Sequence, residues 1–185
     1  MKTRALPHPA FRKTVFAAVL AALTCAATMV VTIPSPLGGF LNLGDGFVLL
    51  SGWLLGPGYG FAAAGLGSAL ADLLLGYEIY VPGTFVIKGL SALIFAFLAP
   101  ALARLMKERD FPAHLCASVA AEFEMVAGYF LYAATVRGKG LAAAASIPGN
   151  LVQGAAGVIL FLLFAAVLKK TGVREKFFPE SVRKR

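Results

Sequence analysis

Long apolar runs, separated by short polar loops, are the feature that most restricts the fold of this chain. Hydrophobic residues make up 59% of its 185 residues and charged residues only 14%, and the mean hydropathy is +0.80. Soluble domains usually carry about 25% charged residues, and a helix needs about 20 apolar residues to cross a bilayer. The runs lack the alternation typical of barrel strands, and hydrocarbon admits only helices and closed barrels. The sequence therefore predicts an all-α integral membrane protein.

Prolines, glycines and charged loops divide the chain into six predicted spans. They cover about 14–31, 45–55, 58–75, 84–103, 112–134 and 148–168. The second span is short, and Gly56-Pro57-Gly58 turns the chain into the third. No internal repeat or soluble segment is recognised, so residues 1–185 are predicted to form a single transmembrane domain, a bundle of six helices.

The basic residues predict how this bundle is oriented. Fourteen of the 17 Lys and Arg residues lie in the N-terminal segment, the 104–109 loop and the C-terminal segment, and three lie on the other side. Because Lys and Arg are retained on the cytoplasmic side, both termini are predicted to be cytoplasmic. The formal charge of +8 comes mainly from these flanks. Aromatic and basic residues are not interleaved, so nucleic acid is not an expected partner.

With this topology, polar groups from five spans fall in the outer half of the bundle. They are Asn42, Asp45, Asp72, Tyr80, Lys88, Glu122, Tyr129, Asn150 and Gln153. Ionisable residues inside a membrane cost about 2.5–3.5 kcal/mol each on insertion scales, and they usually face the bundle interior. We therefore predict that these nine residues line one outward-facing pocket that binds a small substrate.

Purely structural roles remain open for several of them. Asp45 could cap the second span, Asp72 could pair with Lys88, and Asn150 and Gln153 could form hydrogen bonds between helices.

Two glutamates on the fifth span cannot both face the pocket, because two residues along a helix is a rotation of about 200°. Glu122 shares a face with Tyr129 and is the one expected to face the pocket, whereas Glu124 is expected to pack or hydrogen-bond within the bundle. The aromatic loop from Tyr77 to Tyr80 could act as a lid.

The sequence lacks the motifs of several enzyme classes. It contains no P-loop, no HExxH, no nucleophile elbow and no metal-spaced His cluster, and Cys25 and Cys116 suggest neither a disulfide nor a metal site. No catalytic residue, metal or cofactor is therefore predicted. A membrane enzyme and an ion-coupled carrier or channel for a small metabolite remain the alternative classes.

Several short motifs together suggest a family. They are Asn42-Leu43-Gly44-Asp45, Gly56-Pro57, Gly67-Ser68-Ala69-Leu70-Ala71-Asp72-Leu73, Gly76-Tyr77, Ile87-Lys88-Gly89-Leu90, Gly128-Tyr129-Phe130 and Pro148-Gly149-Asn150-Leu151-Val152-Gln153. With the AxxxA spacing of the first span, they resemble the substrate-binding S component of energy-coupling factor (ECF) vitamin transporters. The resemblance is strongest to the branch associated with hydroxymethylpyrimidine and vitamin B6, and it extends from Thr14 to Leu168.

The resemblance implies a membrane component, surrounded by lipid, that captures a small vitamin or vitamin precursor outside the cell. It would dock on a transmembrane coupling subunit driven by two ATPase subunits, through an alanine motif that corresponds to Ala17, Ala18, Ala21 and Ala22. An acid-rich pocket with tyrosines suits a flat nitrogenous heterocycle. Hydroxymethylpyrimidine, another thiamine precursor and vitamin B6 all fit, and the sequence does not choose among them.

Overall fold

The computed structural model describes residues 9–34 and 40–177, and this part of the chain is mostly helical. The helices are α1 (Pro9–Val30), α2 (Asp45–Leu55), α3 (Pro57–Leu74), α4 (Val81–Leu105), α5 (Asp110–Thr135), α6 (Ile147–Lys170) and α7 (Val173–Phe177). Short 3₁₀ turns cover Glu78–Tyr80 and Gly140–Ser146, and an antiparallel pair of two-residue strands, β1 (Ile33–Pro34) and β2 (Phe40–Leu41), precedes α2. The basic residues within 1–8 and 178–185, which contributed to the predicted orientation, lie outside the described residues.

Four of the described helical segments are long and apolar enough to cross a membrane. They are Ala10–Val30, Glu78–Leu105, Asp110–Thr135 and Gly140–Lys170. Helix α3 has 18 residues and α2 only 11. The prediction of an all-helical membrane protein is thus confirmed at this coarser level, with four helices of spanning length where six spans were predicted.

Helix α2 is the centre of the bundle. Ten of its 11 residues are buried, and it packs against α1, α3, α4 and α6. Glycines allow this close approach: a Cβ atom added at Gly52 would lie 2.3 Å from the carbonyl oxygen of Ala92, and one added at Gly46 would lie 2.8 Å from the Cβ of Leu160. A helix that is apolar on all sides needs neighbours on all sides, and α2 has them.

The turn from α2 into α3 is encoded by two adjacent residues. Gly56 has φ +79°, a conformation that glycine adopts without the steric penalty of a side chain. Pro57 then occupies the start of α3, where its missing N–H leaves no hydrogen bond unmade.

The two ends of α2 lie in different surroundings. At its C-terminal end, the rings of Trp53, Phe95, His114 and Phe161 pack together, with the centroids of Phe95 and Phe161 4.7 Å apart and those of Trp53 and His114 5.7 Å apart. Leu49, Leu50 and Leu54 extend this aromatic core. At its N-terminal end lie the charged side chains described below, which we call the polar end of the bundle.

Large apolar side chains also cover the outside of the helices. Examples are Val19 on α1, Leu66 on α3, Phe97 on α4, Phe123 on α5 and Leu163 on α6, all of which are exposed. Apolar surface of this extent is unusual on a soluble monomer and is what a lipid environment requires.

Gly52→Ala tests the central position of α2. The added methyl group would meet the backbone of α4, which cannot move aside as a flexible side chain can, so we expect a loss of stability of about 1–3 kcal/mol and a lower melting temperature in detergent. Gly58→Ala is the matched control, because a Cβ atom there meets nothing within 4 Å. Equal melting temperatures for the two variants would contradict the tight contact between α2 and α4.

Candidate functional site

An ion pair between Asp45 and Lys88 lies at the middle of the polar end. Asp45 is the first residue of α2 and Lys88 lies in α4, and their side chains are 1% and 3% exposed. Gln153 of α6 donates from Nε2 to the second carboxylate oxygen of Asp45 at 2.7 Å. Buried ion pairs persist when both charges and their remaining hydrogen-bonding capacity are satisfied. One carboxylate therefore connects three helices.

The segment before α2 completes this network. The backbone N–H of Asn42 donates to Oε1 of Gln153 at 2.9 Å, and the side-chain oxygen of Asn42 accepts from the backbone N–H of Gly44 at 2.9 Å. Such an Asn turn leads the chain into the helix. Asp45 then lies inside the first turn of α2, and its carboxylate contacts Lys88 and Gln153, so a capping role alone does not describe it.

Glu122 of α5 lies against two glycines of α6. A Cβ atom added at Gly154 would lie 3.2 Å from Oε2 of Glu122, and one at Gly157 would lie 3.4 Å from Oε1 and 2.5 Å from the Cβ of Asp45. The Glu122 side chain is only 6% exposed, and neither of its carboxylate oxygens has a hydrogen-bond partner among the described residues. Asp45 and Lys88 are its electrostatic neighbours.

Asp72 of α3 belongs to a second polar group. Thr84 of α4 forms a hydrogen bond with it, and Thr84 Oγ1 lies 3.0 Å from the hydroxyl of Tyr129 on α5. The ammonium of Lys88 lies 5.3 Å from the centre of the Tyr129 ring, a cation–π distance. The structural ion pair between Asp72 and Lys88 that the sequence left open is not formed, because Lys88 pairs with Asp45 instead.

The remaining predicted residues are placed less centrally. Glu124 accepts a hydrogen bond from Ser91 of α4 at 2.8 Å, within the bundle. Asn150 is half-buried in the first turn of α6 and is not part of the Asp45–Gln153 network.

Tyr80 lies in an aromatic chain over the polar end. Its hydroxyl accepts a hydrogen bond from Arg137, whose guanidinium also lies 4.6 Å from the centre of the Tyr80 ring. The rings of Phe40, Tyr77, Tyr80 and Tyr132 follow one another at centroid distances of 4.9, 6.5 and 6.1 Å. This chain joins the strand pair, the Glu78–Tyr80 turn and the end of α5.

Thr84 and Ser91 belong to this site but were not among the residues predicted from the sequence. Thr84 and Ser91 flank Lys88 at i−4 and i+3, which places all three on one face of α4. This spacing from Lys88 is the feature of the sequence that could have identified them.

The alanine motif of α1 divides between two faces. Ala17 and Ala21 are half-buried and pack against the aromatic core, whereas Ala18 and Ala22 are exposed.

Chemically, the polar end offers acceptors in excess. Lys88 is the electrostatic neighbour of four carboxylates, which belong to Asp45, Asp72, Glu122 and Glu124. Among the described residues, no group of three or more His, Cys, Asp or Glu side chains is arranged to hold a metal ion. The arrangement therefore suits the binding of a small molecule that carries hydrogen-bond donors.

Comparison with known proteins gives the family. The sequence model of the family described as ECF-type riboflavin transporter, S component, matches residues 10–170. This chain belongs to that family. S components are membrane transport proteins and not enzymes, they bind a small vitamin, and they work with the subunits of an ECF module.

Two individual proteins are similar to this chain. An uncharacterized protein in the gap 3′ region of Pyrococcus woesei is 35% identical over 144 residues, which cover 77% of this chain and 92% of that protein. The solved S component of a bacterial ECF transporter superposes with a TM-score of 0.65 at 20% identity, covering 88% of this chain and 98% of the other. At 20% identity, the similarity to this solved structure shows only that the two chains share a fold.

Removing one member of the central ion pair should be strongly destabilising. Lys88→Met leaves the Asp45 carboxylate buried without its cation, for which we expect a loss of about 3–5 kcal/mol. The double variant Asp45→Asn with Lys88→Met removes both charges, so its loss should be smaller than the sum of the single losses. Melting temperatures in detergent without added ligand measure this cycle, with the exposed Lys107→Met as the control. Additive effects would show that the two side chains do not depend on each other.

Proposed function

We propose that this protein is the substrate-binding component of an ECF-type importer for a small vitamin or vitamin precursor of the hydroxymethylpyrimidine, thiamine-precursor or vitamin B6 class. Family membership supports the transport role. The observation that carries the substrate class is Glu122, a buried carboxylate with two unpartnered oxygens, beside a lysine that Asp45 already neutralises.

The chemistry of these groups favours an amino-heterocycle. A carboxylate accepts hydrogen bonds from an exocyclic amino group, from a hydroxyl group or from the N–H of a protonated ring nitrogen. A site built to accept such bonds discriminates strongly against compounds that lack the donors, because its buried acceptors would stay unpaired. The description of the matched family names riboflavin, which is therefore the reference compound in the experiments below.

The proposed topology has six spans, with both termini in the cytoplasm and the polar end facing outward, in the cell membrane of a prokaryote. Arg104, Lys107 and Arg109 between α4 and α5, and Lys169 and Lys170 at the end of α6, support it, since cytoplasmic loops are enriched in Lys and Arg. These residues lie at the end of the bundle opposite Asp45.

The proposed partners are a transmembrane coupling subunit and two ATPase subunits. Ala18 and Ala22 are exposed on α1, and small residues at this spacing allow a helix of another protein to approach closely within lipid. Ala17 and Ala21 would support that contact from behind through their packing on the core.

Glu122→Gln should weaken ligand binding with little loss of fold. A hydrogen bond to a charged group contributes about 1.5–3 kcal/mol, so the affinity for 4-amino-5-hydroxymethyl-2-methylpyrimidine or pyridoxine should fall about ten- to a hundredfold. Isothermal titration of the detergent-purified protein with these two compounds and riboflavin measures it.

Glu124→Gln is the matched control for this measurement, since it makes the same change two residues away on the same helix. Its carboxylate already accepts a hydrogen bond from Ser91, so the affinity should change less than about threefold. Equal losses from the two variants would refute the assignment of Glu122, and binding of riboflavin alone would refute the proposed substrate class.

Bulky residues on the exposed face of α1 should uncouple transport from binding. We expect Ala18→Trp with Ala22→Trp to abolish co-purification with the coupling subunit and uptake in cells that express the ECF module, while leaving ligand affinity unchanged. The exposed Ala127→Trp on α5 is the control. Uptake that continues in the absence of the ATPase subunits and follows an ion gradient would instead indicate an ion-coupled carrier.

A further inference from the structure

We propose that Ser68 and Asp72 of α3 form a second ligand-binding subsite that holds a hydroxyl group of the substrate, while Glu122 holds its amino-heterocyclic edge. The inference rests on the proposed function and narrows it: the substrate is a small ring that carries both a nitrogen donor and a separate hydroxyl group.

The behaviour of Ser68 differs from that of several other buried hydroxyl groups on the helices. Thr24, Ser51 and Ser118 each donate to the carbonyl oxygen four residues earlier, at 2.7–2.8 Å, the usual arrangement for a hydroxyl within a helix. Ser68 is 2% exposed, yet its hydroxyl has no partner among the described residues. A buried hydroxyl that does not use its own backbone is available for another molecule.

Asp72 provides the complementary acceptor. It lies four residues after Ser68, so the two side chains are neighbours on one face of α3. Its side chain is 6% exposed, and Oδ2 has no hydrogen-bond partner among the described residues. The carboxylate can only accept, whereas the serine hydroxyl can donate as well as accept. Together they match a ligand hydroxyl, which would donate to Asp72 and accept from Ser68.

This pair is separate from Glu122 in the fold. Helix α3 packs against α1, α2 and α4, whereas Glu122 lies on α5 and contacts α6. Helix α2 packs against both α3 and α6, and α4 packs against both α3 and α5. Lys88 of α4 is the charged neighbour of both carboxylates. The two sets of unpartnered atoms therefore lie on different helices and share Lys88 as a charged neighbour, so they would contact two different groups of one small ligand.

Two pyrimidines that differ by one hydroxyl group test this assignment. The probes are 4-amino-5-hydroxymethyl-2-methylpyrimidine and 4-amino-2,5-dimethylpyrimidine, titrated into the unaltered protein, Ser68→Ala and Glu122→Gln. Ser68→Ala should lose about three- to tenfold affinity for the hydroxymethyl compound, the range for an uncharged hydrogen bond, and none for the dimethyl compound. Glu122→Gln should weaken both. Equal losses for both probes in Ser68→Ala, or no loss for either, would overturn the subsite.

A second measurement does not depend on the identity of the ligand. In a Cys25→Ala, Cys116→Ala background, a thiol introduced by Ser68→Cys should react with 2-aminoethyl methanethiosulfonate added to membranes, because a ligand subsite must be reached by water and thiolate forms poorly in an apolar environment. Ser118→Cys, at a buried hydroxyl that is satisfied within α5, should stay unreactive. If neither pyrimidine binds, the proposed substrate class is wrong, and labelling of Ser68→Cys still supports a subsite at α3. An unreactive Ser68→Cys overturns it.

Discussion

The buried pairing of Asp45 with Lys88 is the interaction on which the polar end depends. Neither charge can be buried alone, and the pair is stable in an apolar bundle only when further hydrogen bonds satisfy it. Gln153 supplies one to Asp45 and is itself held by the backbone of Asn42. These bonds require α2, α4 and α6 to lie very close together, and Gly46, Gly52 and Gly157 remove the side chains that would prevent it. The ion pair therefore requires close packing of these helices, and it also holds them together.

Acidic residues of the same type have different surroundings in this site, and the difference suggests different roles. Asp45 is fully used by protein partners, and Glu124 is hydrogen-bonded to Ser91, whereas both oxygens of Glu122 and one of Asp72 are unpartnered among the described residues. The first two hold helices together. The last two are buried acceptors whose desolvation is unfavourable until a donor arrives, and they are the groups that the proposed substrate would satisfy.

The sequence predicted an all-helical membrane protein with polar groups at one end of its bundle, but it did not predict the partner of each polar group. Apolar runs that end at Pro and Gly indicate where the helices lie. The chain reverses at Gly56-Pro57, so the start of α2 and the end of α3 lie at the same end of the bundle. The choice of Asp45 rather than Asp72 as the partner of Lys88 depends on how each helix is rotated about its axis, and no residue spacing specifies that rotation when glycine and alanine occur on several faces. The same rotation places Ala17 inward and Ala18 outward on α1.

The smaller elements were beyond sequence reasoning for a different reason. Strands β1 and β2 have two residues each, too few for any alternation to be recognised, and α7 has five. The aromatic chain from Phe40 to Tyr132 joins segments that are distant in sequence, so its existence follows from the fold and not from a local motif.

The aromatic core directly below the polar end has a consequence for how cargo would leave. Phe95 and Phe161 are completely buried, and with Trp53 and His114 they fill the bundle at the C-terminal end of α2. A molecule bound at the polar end would therefore meet these packed rings on the side of the C-terminal end of α2. Movement past the rings would require Phe95 and Phe161 to separate, so a path through the bundle would disrupt the same packing that holds α2, α4, α5 and α6 together.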